Sequence, residues 1–376
     1  MTIIIKIGII VLNFIYSIFK LLPQRKKISV MSRQSDSPSM DILLLKDTIS
    51  RMHPDYSVVV LCRKLENSPA GAIKYSFHIL RQMYHFATSK AVILDSYCIS
   101  ASILHHRKGL LIIQMWHSIG TMKKFGYSIL DKPEGSSSKT ARLMKMHANY
   151  DFILAAGDGY KSHLAEGFSY PQSRIVTLPL PRVQLLKSEG YARKIRDRIF
   201  AEYPMMKGKK NIVYVPTFRK IDDDGLTKAL ESLCDCVDYE RYNLIIKVHP
   251  LTDLNGFYDN RVIKDTLFSS FDMLFAADAV ISDYSCIIYE AAVLRKPIYL
   301  YAYDYDEYMA DRDIYMDYPA EMPGPICADA CSLIAAIKDG SYDYDRLETF
   351  LNKYVFMGSD HETEDIVDFI FDHIKV

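Results

Sequence analysis

The sequence predicts an α/β protein built from two doubly wound halves, with one apolar helix ahead of them. Three observations carry this. Short apolar runs recur from Ile28 onward: Ile28–Ser32, Ser57–Cys62, Ala91–Asp95, Leu110–Trp116, Phe152–Ala156 and Arg174–Leu178, then Asn211–Pro216, Asn243–Val248, Ala279–Ser282 and Pro297–Tyr301. They are rich in Val, Ile and Leu and continuous rather than alternating, as expected of parallel strands buried on both faces. Longer amphipathic stretches separate them, which suits right-handed βαβ crossovers. The pattern breaks once, across Pro179–Lys210, where prolines stand at 179, 181 and 204, and then resumes. A length of 376 residues fits two such domains. The expected boundaries are 1–27 for the helix and its basic flank, 28–190 for the first half, and 205–376 for the second half with its C-terminal helices.

Residues 3–22 are almost continuously apolar and are followed by Arg25, Lys26 and Lys27. No small-residue cleavage site follows, which argues against a removed signal peptide. Wound as a helix, Lys6, Asn13, Ser17 and Lys20 fall on one narrow polar strip. A helix lying in a membrane surface uses such a strip, with the basic run meeting anionic headgroups. That reading is preferred to a single membrane-spanning anchor and to a plain core helix.

Lys+Arg and Asp+Glu balance at 46 each, which argues against a general polyanion binder and a nucleic-acid partner. The seven cysteines show no metal-ligand spacing and read as cytosolic thiols filling cores. Gly135-Ser-Ser-Ser138 reads as a flexible loop, on the surface or over a cleft.

In open parallel sheets, ligands sit beyond the carboxyl ends of strands, so chemistry is sought there. Trp116-His117-Ser118-Ile119-Gly120-Thr121-Met122-Lys123-Lys124-Phe125-Gly126 places a histidine straight after a strand. It can act as a base, and Lys123 among glycines suits an anionic ligand. The plainer alternative is a histidine that caps the strand. Next, Thr217 and Arg219 in Val215-Pro-Thr-Phe-Arg219 offer a hydroxyl and a guanidinium fork for phosphate. A second histidine, His249, ends another strand in Lys247-Val-His-Pro250. In two facing domains both histidines would reach one cleft. In Ser282-Asp283-Tyr284-Ser285-Cys286, hydroxyls and free N–H groups open a helix, an arrangement that holds phosphate. Plain N-capping explains one small polar residue there but not Ser285 and Glu290. Glu290 could reach ribose hydroxyls or be a surface carboxylate. The acidic and aromatic run Tyr301–Tyr308 has no role assigned by its chemistry. Asp222-Asp223-Asp224 reads as a solvated turn rather than a metal site.

Taken together these stretches resemble the CDP-glycerol glycerophosphotransferase family of teichoic acid and capsule synthesis. The matching pieces are residues 116–126, 215–219, 247–250, 281–291, 296–308 and 315–325, and residues 31–41 resemble an N-terminal segment of some members. The resemblance implies two Rossmann-like domains facing a cleft (a glycosyltransferase-B-type fold), acceptor-side first and nucleotide-binding second. It also implies peripheral membrane attachment, and the basic flank of the apolar helix favours the cytoplasmic face. The sequence departs from the family pattern at Cys286, where a serine is usual, at Glu290 in place of an aspartate, and at Arg312-Asp313 in place of Arg-Gly.

The expected reaction moves glycerol phosphate from CDP-glycerol to a hydroxyl of a lipid-linked or polymeric polyol-phosphate acceptor, releasing CMP. His117 and His249 are the expected catalytic residues, and Lys123, Thr217, Arg219, Ser282, Asp283, Ser285 and Glu290 the substrate-binding ones. No cofactor is expected, and a divalent-metal requirement stays open. The alternatives are a CDP-ribitol ribitolphosphotransferase, a nucleotide-sugar transferase, or a non-catalytic membrane scaffold.

Overall fold

The computed structural model describes residues 2–66, 68–219, 225–248, 252, 257–311 and 313–375. The chain divides into two compact units. One comprises residues 1–118, 125–184 and 358–376; the other comprises 119–124 and 185–357.

The first unit carries a six-stranded sheet of β1 (Lys27–Ser32), β2 (Ser57–Cys62), β3 (Ala91–Leu94), β4 (Leu111–Gln114), β5 (Phe152–Ala155) and β6 (Ile175–Thr177). Its order is β2-β1-β3-β4-β5-β6, and every pair is parallel. The second unit carries β7 (Lys210–Tyr214), β8 (Tyr242–Ile246), β9 (Ile263–Lys264), β10 (Ala279–Ser282), β11 (Ile298–Tyr301) and β12 (Ile326–Cys327), in the order β12-β11-β10-β7-β8-β9, again all parallel.

The continuous apolar runs have the cause the sequence implied. Every residue of β1, β3, β4, β10 and β11 is buried, whereas the edge strand β2 is partly open. All ten predicted strands are present, their ends shifted by no more than two residues. The two unpredicted strands, β9 and β12, are outer edges of two residues each, too short to leave a pattern. Between the sheet and helices Gly225–Cys236 and Ala330–Asp339, Tyr214, Leu230, Leu244, Ile281 and Leu333 form a core. Each such aliphatic side chain contributes roughly 1.5–3 kcal/mol by leaving water.

Three expectations need correction. The last helix, Glu362–His373, belongs to the first unit rather than the second. It buries Ile366, Val367 and Ile370, pairs Glu364 with Arg51 at 2.6 Å, and stacks Phe371 on His53 at 3.4 Å. Amphipathic spacing shows that a helix covers something apolar but not which sheet it covers. Residues 185–190, expected in the first half, fall in the second unit, as do 119–124. Cys236 and Cys331 are not thiols but a disulfide, formed where the end of helix Gly225–Cys236 meets the start of helix Ala330–Asp339, with Cα atoms 5.2 Å apart. Their separation of 95 residues hid the pairing from the sequence.

The N-terminal helix, Thr2–Phe19, is long and apolar enough to cross a membrane. Part of its polar strip turns toward the first unit rather than away from it. Asn13 donates to the Ile103 carbonyl at 3.0 Å and accepts from the His105 N–H at 2.8 Å, and Lys20 donates to the His105 carbonyl. Tyr16, fully buried, donates to Nδ1 of His106. Most side chains left outside are apolar, among them Ile3, Ile7, Ile10, Phe14 and Ile18, with Lys6 and Ser17 exposed beside them.

Candidate active site

In the second sheet the chain winds outward in both directions from the neighbours β7 and β10, which makes their carboxyl ends the switch point where ligands gather. Pro216 and Thr217 follow β7, and Asp283 follows β10. Asp283 is completely buried and is therefore bound to spend its oxygens on donors. It accepts from the Thr217 N–H at 2.9 Å, the Thr217 hydroxyl at 2.6 Å, the Tyr284 N–H at 2.6 Å and the Arg219 guanidinium at 2.9 Å. Arg219 also donates from Nε to Asp304 at 2.7 Å and from its other arm to the Thr217 carbonyl. Burial alone would lower the pKa of this guanidinium; the two carboxylates raise it instead.

Aromatic rings wall this cluster. Tyr284 and Tyr308 stack at 3.7 Å, and Arg219 stands 4.8 Å from the Tyr308 ring centre. The Lys123 ammonium lies 5.4 Å from the same ring, so two cations share one π-face system. Lys123 reaches this place because residues 119–124 pack into the second unit. Lys123 bridges Ile314, the Lys124 N–H bonds the Asp313 carbonyl, and the Tyr315 N–H bonds the Met122 carbonyl. Tyr318 donates to the Asp283 carbonyl at 2.8 Å and closes the cluster from behind.

Lys123, Thr217, Arg219 and Asp283 are thus brought together. Ser282 is buried, and its hydroxyl donates to the Val215 carbonyl at 2.8 Å, tying the ends of β7 and β10. Ser285 is half-buried and accepts from the Ile287 N–H at the start of helix Ile287–Val293. Cys286 donates its thiol to the Gly120 carbonyl. Glu290 is buried, which removes the surface-carboxylate alternative.

In the first unit His117 stands beyond β4. Its Nδ1 lies 3.0 Å from the Asp95 carbonyl. A carbonyl can only accept, so Nδ1 carries the proton and Nε2 is the basic nitrogen. Burial lowers the pKa of this imidazole below the ordinary histidine value, with nearby Arg182 acting the same way and the Asp95 carbonyl and Asp41 opposing. The preceding residue, Trp116, has φ +69°, a left-handed conformation rare for a bulky side chain. Its N–H is held by the Gln114 side chain at 3.0 Å, and its ring lies against Phe125 and Phe168. Arg182 donates to the His117 carbonyl at 3.2 Å while Asp41 grips its Nε at 2.8 Å. His117 is therefore held at its ring and its backbone.

Sequence reasoning missed Asp304, Asp95 and the Asp41–Arg182 pair. Asp304 lies in the acidic run that had no assigned role. It also missed Lys247, buried and bonded to Asp265 at 2.7 Å, which fixes the exit of β8 just ahead of His249. Burial would raise the Asp265 carboxyl, but the bonds from Lys247 and Tyr203 hold it below the usual range. His249 and Asp222–Asp224 lie outside the described residues. Among the described residues no group of three or more His, Cys, Asp or Glu side chains is placed to hold a metal ion.

Two parallel six-stranded sheets, each doubly wound and each carrying polar side chains beyond its strand ends, define a pair of Rossmann-like units. The chain belongs to the CDP-Glycerol:Poly(glycerophosphate) glycerophosphotransferase family, which it matches over residues 14–372. It is an enzyme of the teichoic acid polyol-phosphate transferases. It is 31% identical over 359 residues to the teichoic acid ribitol-phosphate primase of Bacillus spizizenii, covering 93% of this chain and 92% of that one. The teichoic acid glycerol-phosphate primase of Bacillus subtilis is 28% identical over 79% of this chain and 77% of its own. The wall teichoic acid polymerase TagF superposes with a TM-score of 0.76 at 18% identity, over 99% of this chain and 97% of that structure. UDP-GlcNAc 2-epimerase from Neisseria meningitidis follows at 0.58 and 12%, over 93% and 100%. These two likenesses show a shared fold.

Proposed function

We propose that the chain transfers a polyol phosphate, glycerol phosphate from CDP-glycerol, to a hydroxyl of a lipid-linked or polymeric acceptor and releases CMP. The observation that carries the reading is the convergence of Lys123, Thr217, Arg219 and Asp283, from three separated stretches, at the switch point of the second sheet. Cations and hydroxyls ordered at such a point suit a pyrophosphate. Asp283 is the organiser here, holding Thr217 and Arg219 in place, while Lys123 and Ser285 face the donor's phosphates and Ser282 fixes the floor. Glu290 serves the donor's ribose.

In this reading the acceptor oxygen attacks the β-phosphorus in line, the bond from that phosphorus to the bridging oxygen breaks, and the electron pair leaves on CMP. His117 Nε2 takes the hydroxyl proton, and His249 stabilises or protonates the departing phosphate. Positioning and charge neutralisation supply most of the rate in phosphoryl chemistry, with general-base help adding about 10²–10⁴-fold. The reading takes the two halves as a glycosyltransferase-B-type pair at the cytoplasmic face of a membrane. There the helix Thr2–Phe19 lies in the surface, on the support of its exposed apolar side chains.

CDP-ribitol is the second reading, favoured by the nearly full-length match to a ribitol-phosphate primase. The test is CMP release by the purified chain from CDP-glycerol and CDP-ribitol side by side, with lipid-linked acceptors. Release from CDP-glycerol alone supports the first reading and release from CDP-ribitol alone the second. Release from neither, or hydrolysis of a UDP-sugar instead, overturns both.

A further inference from the structure

We propose that the groove between the helices Thr2–Phe19 and Ser138–Leu143 is the seat of one bilayer lipid whose phosphate headgroup carries a net negative charge. The inference rests on the surface attachment read above and gives it a specific side-chain address. The groove has a volume of about 670 Å3 and lies wholly in the first unit. Ile9, Ile10 and Leu143 line its apolar part, and Lys6, Lys139, Arg142 and Lys145 its cationic part. No carboxylate lines it. All four cations are exposed, and none forms an ion pair among the described residues. The Asp131 carboxyl is near enough to feel Arg142, though it is held down chiefly by its hydrogen bonds to Ser138. In a chain whose formal charges cancel, four unpaired cations on one groove are a local excess.

The two halves of the groove exclude simpler occupants. A free inorganic anion would satisfy the cations and leave the isoleucines in water. A neutral lipid would cover the isoleucines and leave the cations without a partner. An amphiphile with a phosphate satisfies both. Its chain continues along an outer helix face where Ile3 is 73% and Phe14 69% exposed. Lysine and arginine stems can lie along the apolar part while their heads reach the phosphate. The basic run after the helix is less suited to that task than the sequence implied. Lys27 is buried against Thr88 and His85, and Lys26 is paired with Asp55 at 2.7 Å.

Flotation of the full chain with vesicles tests this. Vesicles of equimolar phosphatidylcholine and phosphatidylglycerol should bind it strongly, and pure phosphatidylcholine weakly. The triple variant Lys139→Gln, Arg142→Gln, Lys145→Gln should lose affinity for the mixed vesicles on the order of a hundredfold. A control that removes three cations lining a pocket of the second unit, Lys207→Gln, Lys209→Gln and Arg241→Gln, should change it less than about threefold. Equal losses in both variants would mean diffuse charge attraction and overturn the seat, as would no loss in the first. Displacement by water-soluble glycerol phosphate would mean a free-phosphate site and overturn it too. Wild-type chain that floats with neither vesicle sinks the surface attachment along with the seat. CMP release toward a water-soluble acceptor, measured on the same proteins, reports on the transfer reading separately.

Discussion

His117 illustrates how a single hydrogen bond sets chemistry. The Asp95 carbonyl fixes the tautomer, and burial with Arg182 nearby keeps the ring neutral. A base whose pKa is lowered stays competent at a pH where an ordinary histidine, with a pKa of about 6.5, is half protonated. The acid limb of kcat/KM for CMP release should therefore fall below pH ~6.5. His117→Ala should lower turnover by about 10²–10⁴-fold with an unchanged circular dichroism spectrum. A limb at or above the ordinary histidine value, or normal CMP release by the variant, would remove His117 from the role of base. The same scale explains why Asp283 was legible as important but not for what it does. Sequence places it at a strand end, but only the fold shows its oxygens committed to Thr217, Tyr284 and Arg219.

At the scale of elements, the glycines of residues 116–126 have a different purpose from the one their company of lysines implied. A Cβ on Gly120 would stand 2.3 Å from the ring of Tyr289, a buried side chain packed against Phe350 and Tyr354. Gly126, at φ +58°, would bring a Cβ to 2.2 Å from the Gly167 carbonyl. Both allow close approach of backbone to neighbouring atoms. Gly120→Ala should cost roughly 1–3 kcal/mol in denaturant unfolding, as overpacking does. Tyr289→Leu in the same chain should recover part of that loss in a double-mutant cycle. A Gly120→Ala chain as stable as the parent would mean that the ring gives way freely. The strands were legible because burial on both faces writes itself as unbroken Val, Ile and Leu. The pair Asp41–Arg182 was not, since its members are 141 residues apart and each reads alone as an ordinary surface charge. The last helix was misplaced for a related reason, as its apolar stripe fits either sheet.

Over the whole molecule, ionisable groups are unevenly shared. Ten of the eleven histidines lie in the first unit, His249 being the exception. Burial holds His85, His106 and His147 at about 4, with Lys27 adding to the effect at His85. The unfolded chain, with histidines near 6.5, binds more protons than the folded one in this window. Stability from these groups is complete above pH ~6.5 and is lost as the pH falls toward 4, by up to about 1.4 kcal/mol per pH unit for each. Mild acid should thus loosen the first unit before the second. Trp116, the single tryptophan, belongs to that unit, so its fluorescence should change at a higher pH than hydrogen exchange in the second sheet. Coincident transitions would contradict this. The return of helix Glu362–His373 to the helix Met40–Met52 also bears on the order in which the protein can be finished during synthesis. The unit whose chain emerges first from the ribosome lacks its covering helix until residues 362–373 are made. At about 5–20 residues per second, the 189 residues from Leu185 to His373 take roughly 10–40 s, so the second unit has its own residues complete while the first still waits.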